Sequence, residues 1–318
     1  MISRRGFLPV CAAAAVVGCN RSSHRLIGVV PKATSHLFFI SIHSGVRTAA
    51  QEFGLDIVWN GPSDETDHNR QIQIVDSMIT RRVDALAISA TDEHALTAPV
   101  ERAIAAGIPV TIFDSGVNTE RYVTFVATDN AGAGARAAKR LAALVGEEGG
   151  GGRKTLAMVM QKPGGTSTGY RERGFEETIA REFPGYSIVA RQYCMADRAR
   201  ALAAAENILT AHPDIGGIFC SSEAASLGTI QALSARGMGG KVRLVTFDTS
   251  EAHVAALRAG TIDVMLVQDA VQIGYQAVAS LARKLRGETP PRVAALPARE
   301  IVRGDLGKPD VQSLLRPV

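Results

Sequence analysis

Residues 85–115 read ALAISATDEHALTAPVERAIAAGIPVTIFDS, and this stretch decides the fold. It opens on a short apolar run, Ala85–Ser89, passes through a helical pattern over Leu96–Ala106, and stops at Gly107. It resumes as a β-branched run, Pro109–Phe113, which ends in Asp114-Ser115. Short, wholly apolar runs are the mark of strands buried on both faces. A glycine and a proline just past the helical pattern are its stop signals. Strand, helix and strand in this order form a parallel βαβ unit, because parallel strands need a crossover connection. In open parallel sheets ligands bind beyond the carboxyl ends of the strands. The polar pair closing Pro109–Phe113 is therefore the first candidate for function.

The same alternation extends outward. Strands are expected at Leu26–Val30, Asp56–Trp59 and Tyr122–Ala127, with helices over Phe39–Phe53 and Gln71–Met78. In the first helix Phe39, Ile42, Val46, Ala49, Ala50 and Phe53 recur at spacings of three and four, one apolar stripe. After a helix over Ala131–Val145 and the run Gly149–Gly152, read as a flexible turn, the pattern restarts. Strands fall at Thr155–Met160, Ser187–Tyr193, Gly216–Cys220, Val242–Phe247 and Val264–Gln268. Helices fall at Arg171–Phe183, Arg198–Ala211, Ala224–Arg236, Ser250–Ala259 and Ile273–Leu285. Two βα series of similar size make an α/β protein of two doubly wound parallel-sheet lobes.

Composition agrees. The 318 residues suit two domains. A hydrophobic share of 46% with 21% charged residues excludes a disordered chain, a collagen-like chain and a multi-span membrane protein. Aromatics are scarce, at 10 Phe, 5 Tyr and 1 Trp, which favours close helix–sheet packing over an aromatic-rich β-sandwich.

The N-terminus reads as an address. Ser3-Arg4-Arg5-Gly6-Phe7-Leu8 is similar to a twin-arginine export signal, which the general secretion route could also read, and the apolar run to Val17 is too short to span a bilayer. Val16-Val17-Gly18-Cys19 matches a bacterial lipobox, so residues 1–18 are expected to be removed and Cys19 lipidated. Loss of Arg4 and Arg5 takes Lys+Arg from 35 to 33 against 31 acids, and the net charge from +4 to +2. No basic run interleaved with aromatics is present, so no nucleic-acid partner is expected. Cys194 and Cys220 end the second and third strands of the second series. In a 2-1-3-4-5 sheet the first strand separates them by about 9–10 Å, beyond the ~7 Å reach of a disulfide. Two free thiols are expected.

Gly165-Thr166-Ser167-Thr168-Gly169 has the spacing of a nucleophile elbow. However, Gln161–Gly165 separate it from its strand, and His253 lies only five residues past Asp248, so a secreted hydrolase using Ser167 is a minor alternative. The seven histidines are scattered, without metal-ligand spacing, so neither metal nor cofactor is expected.

The remaining polar residues sit at strand ends: Asp114-Ser115, Asp129-Asn130, Ser222-Glu223, Asp248 and Gln268-Asp269. Carboxylates and amides converging there suit a polyhydroxyl ligand, since a carboxylate accepts hydroxyl protons in charge-assisted bonds. The competing explanation is helix N-capping, to which Asp and Ser are equally suited. Asp129-Asn130 is assigned to a hinge or cap. Phe38-Phe39 opens the first helix, with one ring expected in the cleft and one in the core.

At these residues the chain resembles the periplasmic sugar-binding proteins of ABC transporters, the ribose-binding type, over roughly residues 25–305. The resemblance is carried by Val29-Val30-Pro31-Lys32 with Phe38-Phe39, by Pro109-Val110 leading to Asp114, and by Arg171 in Arg-x-x-Gly-Phe. Thr246-Phe247-Asp248, and Gln268-Asp269 before Ile273-Gly274, complete it. It implies a type I periplasmic binding protein fold, two lobes joined by a three-segment hinge near Asp129, Gln268 and Val293. The expected lobes are 26–129 plus 269–295 and 130–268 plus 296–318, with 19–25 as tether. It also implies that Phe38 and Phe39 stack on the ligand and that Asp114, Arg171, Asp248 and Gln268 bond its hydroxyls. The opening Val-Pro-Lys and Asp114-Ser115 are similar to the autoinducer-2- and rhamnose-binding branch, which adds Lys32. Ser115 stands where ribose binders carry Arg, Ser222-Glu223 where they carry Asn-Asp, and Ala196 where they carry an aromatic; Tyr193 is the remaining ring nearby. Ribose itself is therefore not singled out.

The expected protein is a monomeric, lipid-anchored extracytoplasmic receptor. It would pass a sugar or polyol to an ABC permease and ATPase complex. The alternative is presentation of a sugar or autoinducer-like signal to a sensor kinase or chemoreceptor.

Overall fold

The computed structural model describes residues 24–147 and 154–315. The expected export signal, Cys19 and the Gly149–Gly152 turn lie outside the described residues.

The first series forms β1 (Arg25–Val30), α1 (Leu37–Phe53), β2 (Leu55–Trp59), α2 (His68–Thr80), β3 (Ala85–Ile88), α3 (Thr97–Ala105), β4 (Val110–Phe113) and β5 (Phe125–Thr128). The second runs α4 (Asn130–Glu147), β6 (Thr155–Met160), α5 (Thr166–Glu182), β7 (Ser187–Tyr193), α6 (Arg198–Ala211) and β8 (Gly217–Cys220). It continues through α7 (Glu223–Ala235), β9 (Arg243–Phe247), α8 (Glu251–Ala259) and β10 (Val264–Val267). The chain closes with α9 (Ala270–Leu285), β11 (Val293–Leu296), β12 (Arg299–Ile301) and α10 (Pro309–Leu315).

Each lobe holds one six-stranded sheet, of order β11-β5-β4-β3-β1-β2 and β12-β10-β9-β8-β6-β7. Each keeps the 2-1-3-4-5 order and adds a sixth strand at the edge. The first sheet is parallel throughout, whereas β12 runs antiparallel to β10, with Met265 opposite Ile301. Helices cover both faces. In the first lobe α1 and α9 pack on one face around Ile42, Val46, Ile273 and Val278, and α2 and α3 on the other around Ile74, Met78 and Val100. In the second lobe α4 and α5 cover one face and α6 to α8 the other.

The chain passes between the sheets three times. It crosses from β5 to α4, from β10 to α9, and from β11 to β12. The two six-stranded lobes and their three crossings have the arrangement that the resemblance implied.

Some boundaries move. α5 begins at Thr166 rather than Arg171, because Gly165 supplies an extended N-cap and the helix runs straight through Gly169. β5 begins at Phe125 rather than Tyr122; the Tyr122 ring instead packs against Phe125 and lies 4.6 Å below the Arg292 guanidinium. Cys194 and Cys220 are free and buried, with β6 between β7 and β8 as the spacing argument required.

Candidate functional site

The two sheets turn their carboxyl ends toward each other, and the residues following equivalent strands face across the gap. After β1 comes Lys32, and after β6 come Gln161 and Lys162. After β3 comes Ser89, and after β8 come Ser221 and Ser222. After the fourth strand of each lobe come Asp114 and Asp248. Internal duplication thus extends to the chemistry of the strand ends.

In the first lobe Lys32 Nζ lies 3.1 Å from Asp114 Oδ2 and 3.7 Å from Glu65 Oε2, all three side chains being buried. Burial pulls the lysine pKa down, but Asp114 and Glu65 together outweigh it and hold the ammonium above its ordinary value. Burial pushes Glu65 up, but Lys32 and the His36 hydrogen bond outweigh it and keep the carboxylate well below its ordinary range. Ser89 Oγ donates to Asp114 Oδ2 at 2.9 Å.

In the second lobe the fully buried Arg171 lies with its guanidinium 4.2 Å from the Phe247 ring centroid. It donates to Asn130 Oδ1 at 2.8 Å and to the Ser221 carbonyl at 3.0 Å. Asp248 accepts from Gln268 Nε2 at 2.7 Å and from the Glu223 N–H at 3.0 Å, while Thr128 Oγ1 donates to Gln268 Oε1. Burial raises the Asp248 pKa, more than Arg171 and Gln268 lower it. Burial, with the neighbouring Asp248 charge, pushes Glu223 up to about 7. Glu223 Oε2 is enclosed and has no hydrogen-bond partner among the described residues, which leaves it free to accept a ligand hydroxyl.

The lobes meet through polar contacts. Ser167 Oγ lies 2.9 Å from Ser115 Oγ and accepts from Lys32 Nζ at 3.3 Å. Gln161 Nε2 donates to Glu65 at 3.3 Å, and Lys162 Nζ to the Thr91 carbonyl at 2.6 Å.

Of the ten candidate ligand contacts, Lys32, Asp114, Arg171, Asp248 and Gln268 join one buried polar cluster, with Glu223 at its edge. Ser115 is fully buried and bonded to Ser167, so it spans the lobes rather than facing an open cleft. Ser222 caps α7, accepting from the Ala225 N–H, and donates to Gln161 Oε1. Phe39 belongs to the core, its ring 5.7 Å from Lys32 Nζ, and Phe38 is half-buried beside it. Tyr193 is 46% exposed.

The capping explanation holds for Asp129 and Asp269, which accept from the Gly132 and Gln272 N–H groups. It fails for Asp114, which precedes no helix, and for Asp248, because Ser250 caps α8.

Sequence reasoning missed Glu65, Ser89, Gln161, Lys162 and Glu172. Ser89, Gln161 and Lys162 follow strands and could have been found by the rule that found Asp114. Glu65 sits in an irregular loop with no periodic signal. Glu172 follows Arg171 on α5 and accepts from the Gln161 N–H and Ser221 Oγ; burial pushes it up to about 7.

A hydrolase built on Ser167 has little support. The base nearest to it is Lys32, which its two carboxylates keep protonated. His253 instead bonds Ser250 on α8.

A family profile described as periplasmic binding protein domain matches residues 27–289. The D-ribose/D-allose-binding protein of Pseudomonas aeruginosa is 30% identical over 297 residues, covering 89% of this chain and 88% of that protein. The ribose import binding protein of Bacillus subtilis is 27% identical, covering 86% of each chain. Among solved structures, a carbohydrate transporter solute-binding protein of Agrobacterium radiobacter in complex with D-arabinose superposes with a TM-score of 0.90. It is 26% identical and covers 93% of this chain and 100% of its own. An ABC transporter solute-binding protein of Agrobacterium vitis bound with α-D-tagatopyranose gives 0.86 at 27% identity, covering 92% and 99%.

Proposed function

This chain belongs to the periplasmic binding protein domain family, and on that premise we propose that it captures a sugar or sugar-like polyol between its lobes and delivers it to an ABC importer. The observation that carries this reading is the pairing of Asp114 and Asp248 at equivalent strand ends, both within electrostatic reach of the buried Arg171. Carboxylates from both lobes can accept hydroxyl protons from opposite faces of one small polyol. Lys32 and Arg171 donate to its oxygens and offset the acid charge. The relatives named for ribose and allose, and the similar structures bound with D-arabinose and α-D-tagatopyranose, support this chemistry.

The ligand would enter with the lobes apart, and bending at the three crossings would close them over it. Closure removes water and strengthens every polar contact inside. Residues 26–129 with 269–295 would move against 130–268 with 296–318. The N-terminal signal and Cys19 would export the protein and anchor it as a lipid-modified monomer, with the permease reading the closed form. Cys19→Ser should then release it from the membrane fraction.

The direct test is a thermal-shift screen of the purified protein against D-ribose, D-allose, D-arabinose, D-tagatose, D-fucose and linear polyols. A ligand present at 100 times its dissociation constant adds about 2.7 kcal/mol. A panel without any shift would overturn the sugar reading.

A further inference from the structure

Beside the buried polar cluster lies a space that the proposed capture of a bare monosaccharide does not use. It is a groove of about 1190 Å³ between the first turn of α1, in one lobe, and the α8 N-terminus and α10, in the other. Asp248 and Gln268 line its inner end, so it begins where the polar cluster ends. Its flank on α1 is apolar: Leu37 and Ile40 are 48% and 43% exposed, and Phe38 is half-buried between them. Leu227 and Leu314 contribute from the second lobe.

Pockets that enclose a drug-sized ligand run to roughly 300–1,000 Å³, and a single sugar ring is much smaller than such a ligand. The groove differs in chemistry from the polar cluster. The polar cluster offers carboxylates, an amide and two cations, all nearly inaccessible, which suits hydroxyls. The α1 flank of the groove offers exposed aliphatic side chains, which gain by covering apolar surface and gain nothing from hydroxyls, while its other walls carry Arg198, Glu251, Gln272 and Asp310. The groove is present while the lobes are in contact through Ser115, Ser167, Lys162 and Thr91. A substituent lying in it therefore need not be enclosed when the sugar is.

We propose that the ligand of this protein is a glycoside. Its sugar would occupy the cluster of Lys32, Asp114, Arg171 and Asp248, and an apolar alkyl or aryl substituent would leave past Asp248 and Gln268 to lie along Leu37, Phe38 and Ile40. This rests on the sugar-capture reading and names its substrate class.

The test is titration calorimetry with D-ribose, D-allose and D-arabinose, and with the methyl, phenyl and octyl glycosides of each in both anomeric forms. At least one phenyl or octyl glycoside should bind tenfold or more tightly than both its free sugar and its methyl glycoside. Ile40→Glu, and separately Leu37→Glu, both at exposed positions, should bring that ratio back toward one. If free sugars bind and every substituent is neutral or harmful, the inference is overturned and simple sugar capture stands. A ratio that survives both variants also overturns it. If neither sugars nor glycosides bind, the capture reading itself fails.

Discussion

Two non-glycine residues of the cleft hold left-handed backbone, Asp114 at φ 55° and Asp248 at φ 68°. Such conformations cost about 1–3 kcal/mol each and persist where the surroundings enforce them. Here both aspartates end the fourth strand of a lobe, and the turn aims two carboxylates at one place. Capping explains neither turn, and the proposed sugar capture supplies a reason for the strain, since both carboxylates come within electrostatic reach of Arg171. Asp114→Asn should therefore lower sugar affinity at least 100-fold in calorimetry. Two hydroxyl bonds to a charged acceptor at about 1.5–3 kcal/mol each set that scale. The amide still accepts from Ser89 and Glu65 still faces Lys32 at 3.7 Å, so the ligand-free protein should still fold, with a melting point lowered by loss of the 3.1 Å ion pair to Lys32. Affinity within tenfold of the parent would mean that the cleft has been misplaced. Glu172 makes a different prediction. Its folded pKa is raised from 4.5 to about 7, chiefly by burial. Between those values the folded state holds a proton that the unfolded state has lost, so stability falls as pH rises through this window. Glu172→Gln keeps an acceptor for Gln161 and Ser221 but carries no charge. Relative to the parent it should gain up to about 3 kcal/mol between pH 4.5 and 7.5, read from urea unfolding at each pH. A constant difference across that range would refute the buried-acid assignment. Asp114 and Asp248 were legible in the sequence because they close apolar runs; Glu65 was not, because loop position carries no periodicity.

The motif Arg-x-x-Gly-Phe acquires a physical meaning at the level of helices. A Cβ on Gly174 would sit 2.2 Å from the Ala131 carbonyl oxygen, and one on Gly134 would sit 2.0 Å from that of Arg171. α4 and α5 therefore approach backbone to backbone, and Phe175 stacks on Phe219 of β8 with ring centroids 4.5 Å apart. This seats α5 against the sheet and so fixes where Arg171 emerges. The first lobe repeats the device: Gly45 of α1 meets the Val271 carbonyl, and Gly274 of α9 meets that of Ile42. Gly174→Ala should cost about 1–3 kcal/mol through overpacking and also weaken sugar binding several-fold, because parting the helices displaces Arg171. Unchanged urea midpoint and unchanged affinity would show that the crossing is looser than described. Most strands and helices were legible to within a residue or two, since buried parallel strands and amphipathic helices differ in period. The closing elements were not. β11 is an edge strand with alternating exposure between Pro290-Pro291 and Pro297, β12 has three residues, and α10 has seven. None is long enough to establish a period.

At the scale of the molecule, the duplicated architecture could be read from the order of elements, but the contacts that join the lobes could not, because they link residues 50 to 140 positions apart. The loop from β6 to α5 makes several of them. Lys162 reaches the Thr91 carbonyl, Gly164 accepts through its carbonyl from the Glu93 N–H at 3.2 Å, and Thr166 Oγ1 accepts from the Gly116 N–H at 2.6 Å. Gly164 itself has φ 78°, and a Cβ there would lie 2.1 Å from Asp92 Oδ2 in the opposite lobe. This position is thus constrained twice over, by a backbone turn that favours glycine and by a carboxylate of the opposite lobe. Gly164→Ala should oppose closure while leaving each lobe's core untouched. Ligand bound by both lobes is held only in the closed state, so apparent affinity falls with the closed population. A closure penalty of about 1.4 kcal/mol corresponds to a tenfold loss. The expected result is at least tenfold weaker sugar binding, with a larger radius of gyration by small-angle scattering at a sugar concentration that saturates the parent. Asp92→Ala added to Gly164→Ala removes the steric part and should recover a portion of that loss, whereas backbone strain alone would give no recovery. Parent-like affinity in Gly164→Ala would mean that this loop does not control closure.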